Sequence, residues 1–275
     1  MNVEPKNVFR LAWLTDLHLN FLPYAQADEF LTRVETLEPD AVLITGDISE
    51  ARDLRGVLQH IEERLERTVY FVLGNHDFYH GSIREVRELA ARVSAGAANR
   101  LSYLTALSEP VTLTPTVALV GHDGWADGRL GDYERSLVMM NDYRLIAELA
   151  AHGKRDRWPI LQALGDEAAE HVRTVLPKAL ERFPHVLLAT HVPPLREACW
   201  HEGRLSDDEW APHFTCKAMG EAILAIMRDF PECRLTVFCG HTHSPGQCRP
   251  LPNVEILTGG AKYGLPAVQR VLELR

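Results

Sequence analysis

Short apolar segments recur along this chain at intervals that suit a protein built on β-strands. Each is four to seven residues long and rich in valine, isoleucine and leucine, which is the length and composition of a buried strand. Eight such segments lie at residues 8–14, 41–45, 69–73, 117–120, 186–189, 235–239, 254–257 and 267–272. Because their apolar positions are nearly continuous, these strands are predicted to be covered on both faces of their sheets.

Between several of these segments the apolar positions repeat with the period of an α-helix. Residues 54–65 place leucine, valine and isoleucine three or four positions apart, and residues 83–93 do the same. Ser82, three residues before Glu85, fits a capping box at the start of the second helix. Alternating strands and amphipathic helices predict an α/β or layered α+β domain whose sheets are flanked by helices.

One long stretch interrupts this alternation, from residue 121 to about residue 182. It begins with a segment rich in Gly and Asp and ends in a helical pattern that includes Ala168, Val172 and Leu176. We interpret it as a helical insertion or cap within a single domain that covers residues 1–275. Insertions at strand ends often form lids or pocket walls, and packing as an extra pair of helices is an equally good interpretation.

Composition favours a globular protein and argues against a general nucleic-acid binder. The formal net charge is −9, whereas general nucleic-acid binders carry a basic patch, so no such partner is expected. No apolar run approaches the roughly 18 residues needed to span a bilayer, and the charged N-terminus is unlike a signal peptide. The five cysteines form no close pair of the metal-binding type. These features predict a cytoplasmic protein with reduced thiols and no membrane partner, and they leave its oligomeric state open.

Five of the predicted strands run directly into residues that bind metals or carry protons. In chain order the motifs are Asp16-Leu17-His18, Gly46-Asp47, Gly74-Asn75-His76-Asp77, Thr190-His191 and Gly240-His241-Thr242-His243. A single histidine or Gly-Asp pair after a strand is usually structural. Five such motifs at the same end of successive strands instead indicate one shared site, because α/β folds place their sites there.

The side chains of these motifs suit a pair of metal ions. Carboxylate and amide oxygens combined with imidazoles are typical ligands of manganese, iron or zinc, rather than of a thiolate-bound structural zinc. Two adjacent cations need a bridging anion, and Asp47 is the natural candidate because it stands alone in its motif. The sequence therefore predicts two metal ions, divalent or mixed-valent, that clamp a common substrate.

In their order and form, these motifs resemble those of the calcineurin-like metallophosphoesterase superfamily, and they span positions 16–243. The resemblance implies a two-sheet β-sandwich flanked by helices. It also implies that His76 acts beside the phosphate as general acid or transition-state donor, oriented by Asp77. The implied ligands of the first metal are Asp16, His18, Asp47 and His243, and those of the second are Asp47, Asn75, His191 and His241.

The implied reaction is hydrolysis of a phosphate ester by a hydroxide that bridges the two metals. Protein phosphatases of this superfamily extend the second motif to GDxxDRG, but here Gly46-Asp47 is followed by Ile48, Ser49 and Glu50. The compact motifs resemble those of bacterial phosphodiesterases, so we predict a phosphodiesterase of small or nucleotide-like diesters. A phosphomonoesterase or protein phosphatase is the alternative. A non-catalytic scaffold of the same fold is a third interpretation, although such relatives usually lack ligands that this chain keeps.

Four further residues are candidates for binding the substrate. His122 and Asp123 follow the strand at residues 117–120 and would reach the same rim. Trp125 and Trp200 lie in predicted loops near that rim, where an indole could stack on a nucleobase or an aryl group. Packing within the fold is the alternative interpretation of all four residues.

Overall fold

Two large β-sheets form the centre of the computed structural model, which describes residues 8–96 and 99–275. Residues 1–7, on which the prediction of no signal segment partly rests, lie outside the described residues. The strands are β1 (Phe9–Leu14), β2 (Ala41–Thr45), β3 (Thr68–Val72), β4 (Leu101–Tyr103), β5 (Val111–Thr114), β6 (Val117–Gly121), β7 (His185–Ala189), β8 (Trp200–His201), β9 (Arg204–Leu205), β10 (Arg234–Cys239), β11 (Gly246–Leu251), β12 (Val254–Thr258) and β13 (Val268–Leu274).

The helices lie mostly between these strands, as the alternating pattern predicts. Glu85 N–H donates to Ser82 Oγ at 3.2 Å, so the predicted cap at the start of the third helix is present. The helices are α1 (Tyr24–Thr36), α2 (Leu54–Leu65), α3 (Ile83–Ser94), α4 (Asp142–Leu145), α5 (Ala147–Ala150), α6 (Lys154–Leu180), α7 (Ala211–Phe214) and α8 (Lys217–Asp229).

The two sheets are mainly parallel and have antiparallel strands only at their edges. The first has the order β13-β1-β2-β3-β4, in which β13 is antiparallel to β1. The second has the order β11-β12-β10-β7-β6-β5, in which β11 and β5 are the antiparallel edges. All eight strands predicted from apolar runs are present in these two sheets. The parallel strands of both sheets therefore bring their carboxyl ends, and the motifs that follow them, toward one region.

The core has three layers, because each sheet buries one face against the other sheet and one against helices. Along β1, Leu11 and Trp13 point into the layer between the sheets, whereas Ala12 and Leu14 point toward the helices. The Trp13 ring lies 4.8 Å from the ring of Phe238 in the opposite sheet. Each such side chain contributes roughly 1.5–3 kcal/mol by leaving water. The predicted two-sheet sandwich flanked by helices is confirmed.

The stretch at residues 121–182 is partly a layer of the fold itself. Its helix α6 packs on the outer face of the second sheet, where Ala168 and Val172 join the same core as Val186 of β7 and Ile223 of α8. The preceding residues, 122–153, are loops with the short helices α4 and α5. The single-domain prediction for residues 1–275 and the cap role of this stretch stay predictions. In the part of the chain that the structure describes, no helix is long and apolar enough to cross a membrane.

Candidate metal centre

The backbone turns sharply where three of the five motifs leave their strands. Five site residues adopt left-handed φ values between 45° and 71°, which residues other than glycine seldom adopt. Gly74 is required for close approach, because a Cβ at this position would lie 2.2 Å from Asp47 Oδ1. The five left-handed residues are Asp16, His18, Asp47, His241 and His243. The folded chain therefore holds these ligand-type side chains in conformations that packing must enforce.

A first cluster of metal-ligand atoms forms between the ends of β1, β2 and β10. One ligand atom from each of four residues lies within 4.8 Å of the others. His18 Nε2 and His243 Nε2 are 3.1 Å apart, and His243 Nε2 lies 3.4 Å from Asp16 Oδ1. His18 Nε2 is 3.7 Å from Asp47 Oδ2. These are the four residues predicted for the first metal.

A second cluster lies beside the first and shares Asp47 with it. Asp47 Oδ1 is 3.3 Å from His191 Nε2, which lies 3.1 Å from Asn75 Oδ1. The same amide oxygen is 2.9 Å from His241 Nδ1. The two carboxylate oxygens of Asp47 thus face different clusters, which is the arrangement expected of a bridging ligand. All the residues predicted for the second metal are brought together here.

Three partners outside the clusters orient their ligands. His191 Nδ1–H donates to Thr45 O at 2.8 Å, which leaves Nε2 free to bind a cation. His241 Nε2–H donates to His213 O at 3.1 Å, so this imidazole presents Nδ1 instead. Asn75 Nδ2 donates to Asp142 Oδ1 at 2.8 Å, which turns the amide oxygen toward the cluster. The sequence analysis missed Asp142 and His213 because they lie 67 and 28 residues from their partners, with no local pattern to connect them.

Burial and neighbouring charge shift the protonation of the site. Burial alone would raise the pKa of Asp47, but His191 and His76 lower it well below its ordinary value. Burial alone would lower the pKa of His191, but the charge of Asp47 raises it to about 10. Burial together with the charge of His191 lowers the pKa of His241 to about 4, and burial likewise lowers that of His18 to about 4. The negative charge of Asp47 thus favours a positive charge at His191, whereas burial favours neutral imidazoles at His18 and His241.

His76 lies at the border of the first cluster. Its Nε2 is 4.0 Å from Asp47 Oδ2 and 3.4 Å from Tyr263 Oη. Its ring packs against Tyr79 and His18, with centroids 4.2 Å and 4.5 Å away. Among the described residues, its buried Nδ1 has no hydrogen-bond partner. Nε2 is therefore the ring nitrogen that lies toward the first cluster.

The Asp77 carboxylate is held by backbone groups of two loops. Its Oδ1 accepts hydrogen bonds from the N–H groups of Ile48 and Ser49, and its Oδ2 accepts from Gly74 N–H. Burial and the nearby charge of Asp47 raise the pKa of Asp77 to about 8, although the hydrogen bonds from the Gly74 and Ser49 N–H groups act to lower it. Because its oxygens are engaged by backbone, Asp77 ties the loops after β2 and β3 together. The role of Asp77 in orienting His76 stays a prediction.

His122 and Asp123 also lie in the interior rather than at a substrate rim. His122 Nδ1 accepts from Gly124 N–H at 3.0 Å, and its ring lies 5.0 Å from that of His171. The Asp123 carboxylate is buried and accepts hydrogen bonds from the four groups Leu73 N–H, Thr105 Oγ1, Arg87 Nε and Tyr103 Oη. Both residues hold the ends of strands together, which fits the packing interpretation, and the prediction that they bind substrate stays a prediction.

The two tryptophans predicted to stack on a substrate are occupied by packing. Trp125 is 3% exposed and lies 5.5 Å from the ring of Phe78. Trp200 is half-buried against Gly246 of β11, where a Cβ would come within 2.0 Å of the indole. The sequence alone does not show whether the face of a tryptophan in a loop is covered, because the residues that cover it are distant in the chain. Trp125 therefore offers no open face for stacking, whereas stacking of a substrate on the partly exposed Trp200 stays a prediction.

Comparison with known proteins gives one family for most of the chain. A family model described as calcineurin-like phosphoesterase matches residues 9–245. The chain is 33% identical over 93 residues to an uncharacterized metallophosphoesterase of Campylobacter jejuni. It is 38% identical over 77 residues to a transmembrane protein with metallophosphoesterase domain of Bos taurus. These matches cover 30% and 26% of this chain, but only 23% and 17% of the two relatives.

Solved structures show the same fold at low sequence identity. A dimetal phosphatase from Danio rerio is 14% identical with a TM-score of 0.52, over 92% of this chain and 88% of that one. The phosphopantetheinyl hydrolase of Mycobacterium tuberculosis is 17% identical with a TM-score of 0.59, over 92% of this chain and 90% of that one. At these identities the likeness establishes the fold alone.

Proposed function

Because this chain belongs to the calcineurin-like phosphoesterase family, we propose that it hydrolyses small phosphodiesters with a pair of metal ions. The family predicted from the order of the motifs is confirmed, and with it the class of metal-dependent phosphoesterases. The observation that carries the proposal is the convergence of two clusters of ligand atoms on the two oxygens of Asp47. A scaffold without chemistry would have no need of this complete arrangement.

The residues of the two clusters fit a pair of divalent cations. In the first, two imidazole nitrogens and two carboxylates approach one another at distances that a shared cation would stabilise. Oxygen and imidazole donors without thiolate suit Mn²⁺, Fe or Zn²⁺. When bound, such ions lower the pKa of a water to about 7 and offset the charge of phosphoryl oxygens. The first ion would be held by Asp16, His18, Asp47 and His243, and the second by Asp47, Asn75, His191 and His241.

His76 supplies the proton chemistry in this proposal. Its Nε2 lies 4.0 Å from Asp47 Oδ2, the carboxylate oxygen that faces the first cluster. An imidazole there can donate a hydrogen bond to a phosphoryl oxygen or a proton to the departing alkoxide. The packing of its ring against Tyr79 limits its movement, so that the donor stays in place during the reaction.

The lack of a basic side chain at the clusters favours a diester over a monoester. Within residues 8–96 and 99–275, no arginine or lysine forms a hydrogen bond or ion pair with the seven ligand residues or with His76. A monoester dianion carries one more negative charge than a diester, and a second cationic group usually offsets it. A monoesterase or protein phosphatase activity is the outcome that would replace this part of the proposal.

The proposal is tested by a substrate panel on protein stripped with a chelator and then reconstituted with Mn²⁺, Zn²⁺ or Fe²⁺. Matched p-nitrophenyl diesters and monoesters are compared by kcat/KM. We expect no turnover in chelator, recovery with at least one metal, and a diester rate above the monoester rate. Full activity in chelator would overturn the metal mechanism, and a monoester preference of tenfold, about 1.4 kcal/mol, would overturn the diester assignment.

Replacing His76 by alanine should separate chemistry from metal binding. We expect kcat to fall by about 10²–10⁴-fold, because a positioned donor is lost in the transition state, while the metal content stays at the wild-type value. Elemental analysis of the purified variant, set beside its steady-state kinetics, checks both parts. A variant that loses its metals would assign His76 to the ligands instead.

A cytoplasmic location belongs to this proposal and rests on composition. All five cysteines are free thiols in the structure, and three of them are buried. Reduced, unpaired cysteines are typical of proteins kept in a reducing compartment. The partners we propose are small-molecule phosphate esters, without a nucleic acid or a membrane. Fractionation of the native host, with the protein followed by an antibody, tests the location.

A further inference from the structure

Two exposed aromatic rings meet beside the first metal cluster. Phe21 and Tyr263 are 50% and 51% exposed, and their rings form an edge-to-face pair with centroids 5.5 Å apart. The Tyr263 ring lies 4.6 Å from that of His18 and 4.9 Å from that of His243. The Phe21 ring lies 6.0 Å from His18. We call these two side chains the aromatic wall. They pack beside the predicted metal ligands His18 and His243, and about half of the surface of each side chain faces solvent.

Most other exposed apolar side chains have no such setting. Among the residues that the structure describes, seven large apolar side chains are exposed: Phe21, Tyr24, Leu137, Met139, Leu205, Tyr263 and Leu265. Of these seven side chains, only Phe21 and Tyr263 are in ring contact with histidines of the predicted metal site. Single exposed apolar residues are ordinary, but a pair next to a site is a candidate ligand surface.

The backbone holds both rings in place. Phe21 ends the single 3₁₀ turn that follows His18, and the N–H of His18 donates to Asp47 O at 2.9 Å. On the other side, Ala261 N–H donates to His243 O at 3.1 Å. The side chain of Gln269 accepts from Gly260 N–H at 3.0 Å and donates to Gly260 O at 2.8 Å. The loop that carries Tyr263 is thus fastened to the metal site and to β13.

We propose that the aromatic wall binds the flat aromatic group of a phosphate ester whose phosphorus lies at the metal centre. This inference rests on the proposed function and names its substrate class, esters that carry an aryl or nucleobase group. A planar group gains dispersion and quadrupole contacts against the exposed faces of Phe21 and Tyr263. Such contacts are made in the bound state before any bond breaks, so they act on binding rather than on the chemical step.

The hydroxyl of Tyr263 has a separate role in the same wall. Tyr263 Oη lies 3.4 Å from His76 Nε2. The same residue thus supplies a ring to the aromatic wall and a contact to the proposed proton donor. Stacking uses the ring, whereas the contact with His76 uses the oxygen. Tyr263→Phe should therefore keep the preference for aromatic ligands, and Tyr263→Leu should lose it.

The test compares the binding of phenylphosphonate and methylphosphonate to metal-reconstituted protein by isothermal titration calorimetry. The wild type should bind the phenyl compound about tenfold more tightly or better, because stacking adds to the shared contact of the phosphonate. Phe21→Leu and Tyr263→Leu should each reduce this ratio at least about threefold, while Tyr263→Phe preserves it. Tyr24→Leu is the matched control, since Tyr24 is exposed but packs on His60 instead.

The outcomes separate this inference from the proposed function. If the wild type turns over esters and the binding ratio is the same in Phe21→Leu, Tyr263→Leu and the wild type, the aromatic wall is overturned while the proposed function stands. If no ester is hydrolysed with any metal but both leucine variants lose the phenyl preference, the wall is supported and the proposed chemistry fails. A ratio that falls equally in Tyr24→Leu would also overturn the inference.

Discussion

Replacing Asp47 by asparagine should empty both metal positions and lower kcat/KM by about 10³-fold or more. The carboxylate faces both clusters, with Oδ2 3.7 Å from His18 Nε2 and Oδ1 3.3 Å from His191 Nε2. An amide keeps the shape but removes the negative charge that two adjacent cations require, which is several kcal/mol of transition-state stabilisation. Elemental analysis and calorimetric titration with Mn²⁺ measure the loss of metal, and steady-state kinetics measure the loss of rate.

Two comparison variants make this result specific. Asp229→Asn, the same change at the exposed end of α8, should keep the metal content and the rate. His76→Ala should keep the wild-type metal content and have a lower kcat. It therefore distinguishes a loss of catalysis from a loss of metal. If Asp47→Asn retains two ions per chain with wild-type affinity, Asp47 does not bridge, and the assignment of both clusters fails with it.

Removing the carboxylate of Asp123 should lower the free energy of unfolding by about 3–5 kcal/mol. The variant Asp123→Ala removes the 2.9 Å ion pair to the half-buried guanidinium of Arg87, which keeps only its pair with the exposed Glu167 at 2.7 Å. It also leaves the Leu73 N–H and the Tyr103 hydroxyl without an acceptor. Each buried donor left unpaired costs about 1–3 kcal/mol. Urea denaturation of both proteins at pH 7 measures the difference directly.

The same experiment has a pH dependence with a defined sign. Burial alone would raise the pKa of Asp123, but Arg87, His122 and the hydrogen bonds lower it below its ordinary value. A carboxylate with a lowered pKa stabilises the fold above its unfolded pKa of about 3.9, and this contribution is lost as the pH falls through the folded pKa. The gap between wild type and Asp123→Ala should therefore be full at pH 7 and shrink below about pH 4.

A small loss of stability would change the role of this residue. If the free energy of unfolding of Asp123→Ala is within about 1 kcal/mol of the wild-type value and its KM is raised, the main role of Asp123 is to bind substrate. Glu170→Ala, on the exposed face of α6, is the matched control for loss of an acidic side chain. We expect it to change the free energy of unfolding by less than about 0.5 kcal/mol.

The sequence by itself determined the elements whose pattern is local. Strand β2 reads as a strand because five consecutive residues, Ala41–Thr45, are apolar or β-branched and are buried on both faces. Helix α3 begins where Ser82 caps it, a signal contained within four residues. By contrast, β11 (Gly246–Leu251) contains a proline and an arginine and is an antiparallel edge, so its pairing comes from β12 rather than from its own pattern.

The seven residues that we assign as metal ligands could be chosen from the sequence, because each follows a strand whose end is set by local pattern. Parallel strands carry such residues to one edge of a sheet, and the order of the motifs identified the family. Their mutual distances were not in the sequence. His18 and His243 are 225 residues apart in the chain and 3.1 Å apart in space, which only the packing of one sheet on the other produces.

Tertiary structure alone decided which neighbouring polar and aromatic groups face the site. Asp77 stands next to His76 in the chain, yet its oxygens accept from backbone N–H groups of two loops. Trp125 is covered by the core, whereas Phe21 and Tyr263, from opposite ends of the chain, meet in the open. A residue type fixes what a side chain can do chemically, but burial and partners depend on contacts between distant segments, and no local pattern records them.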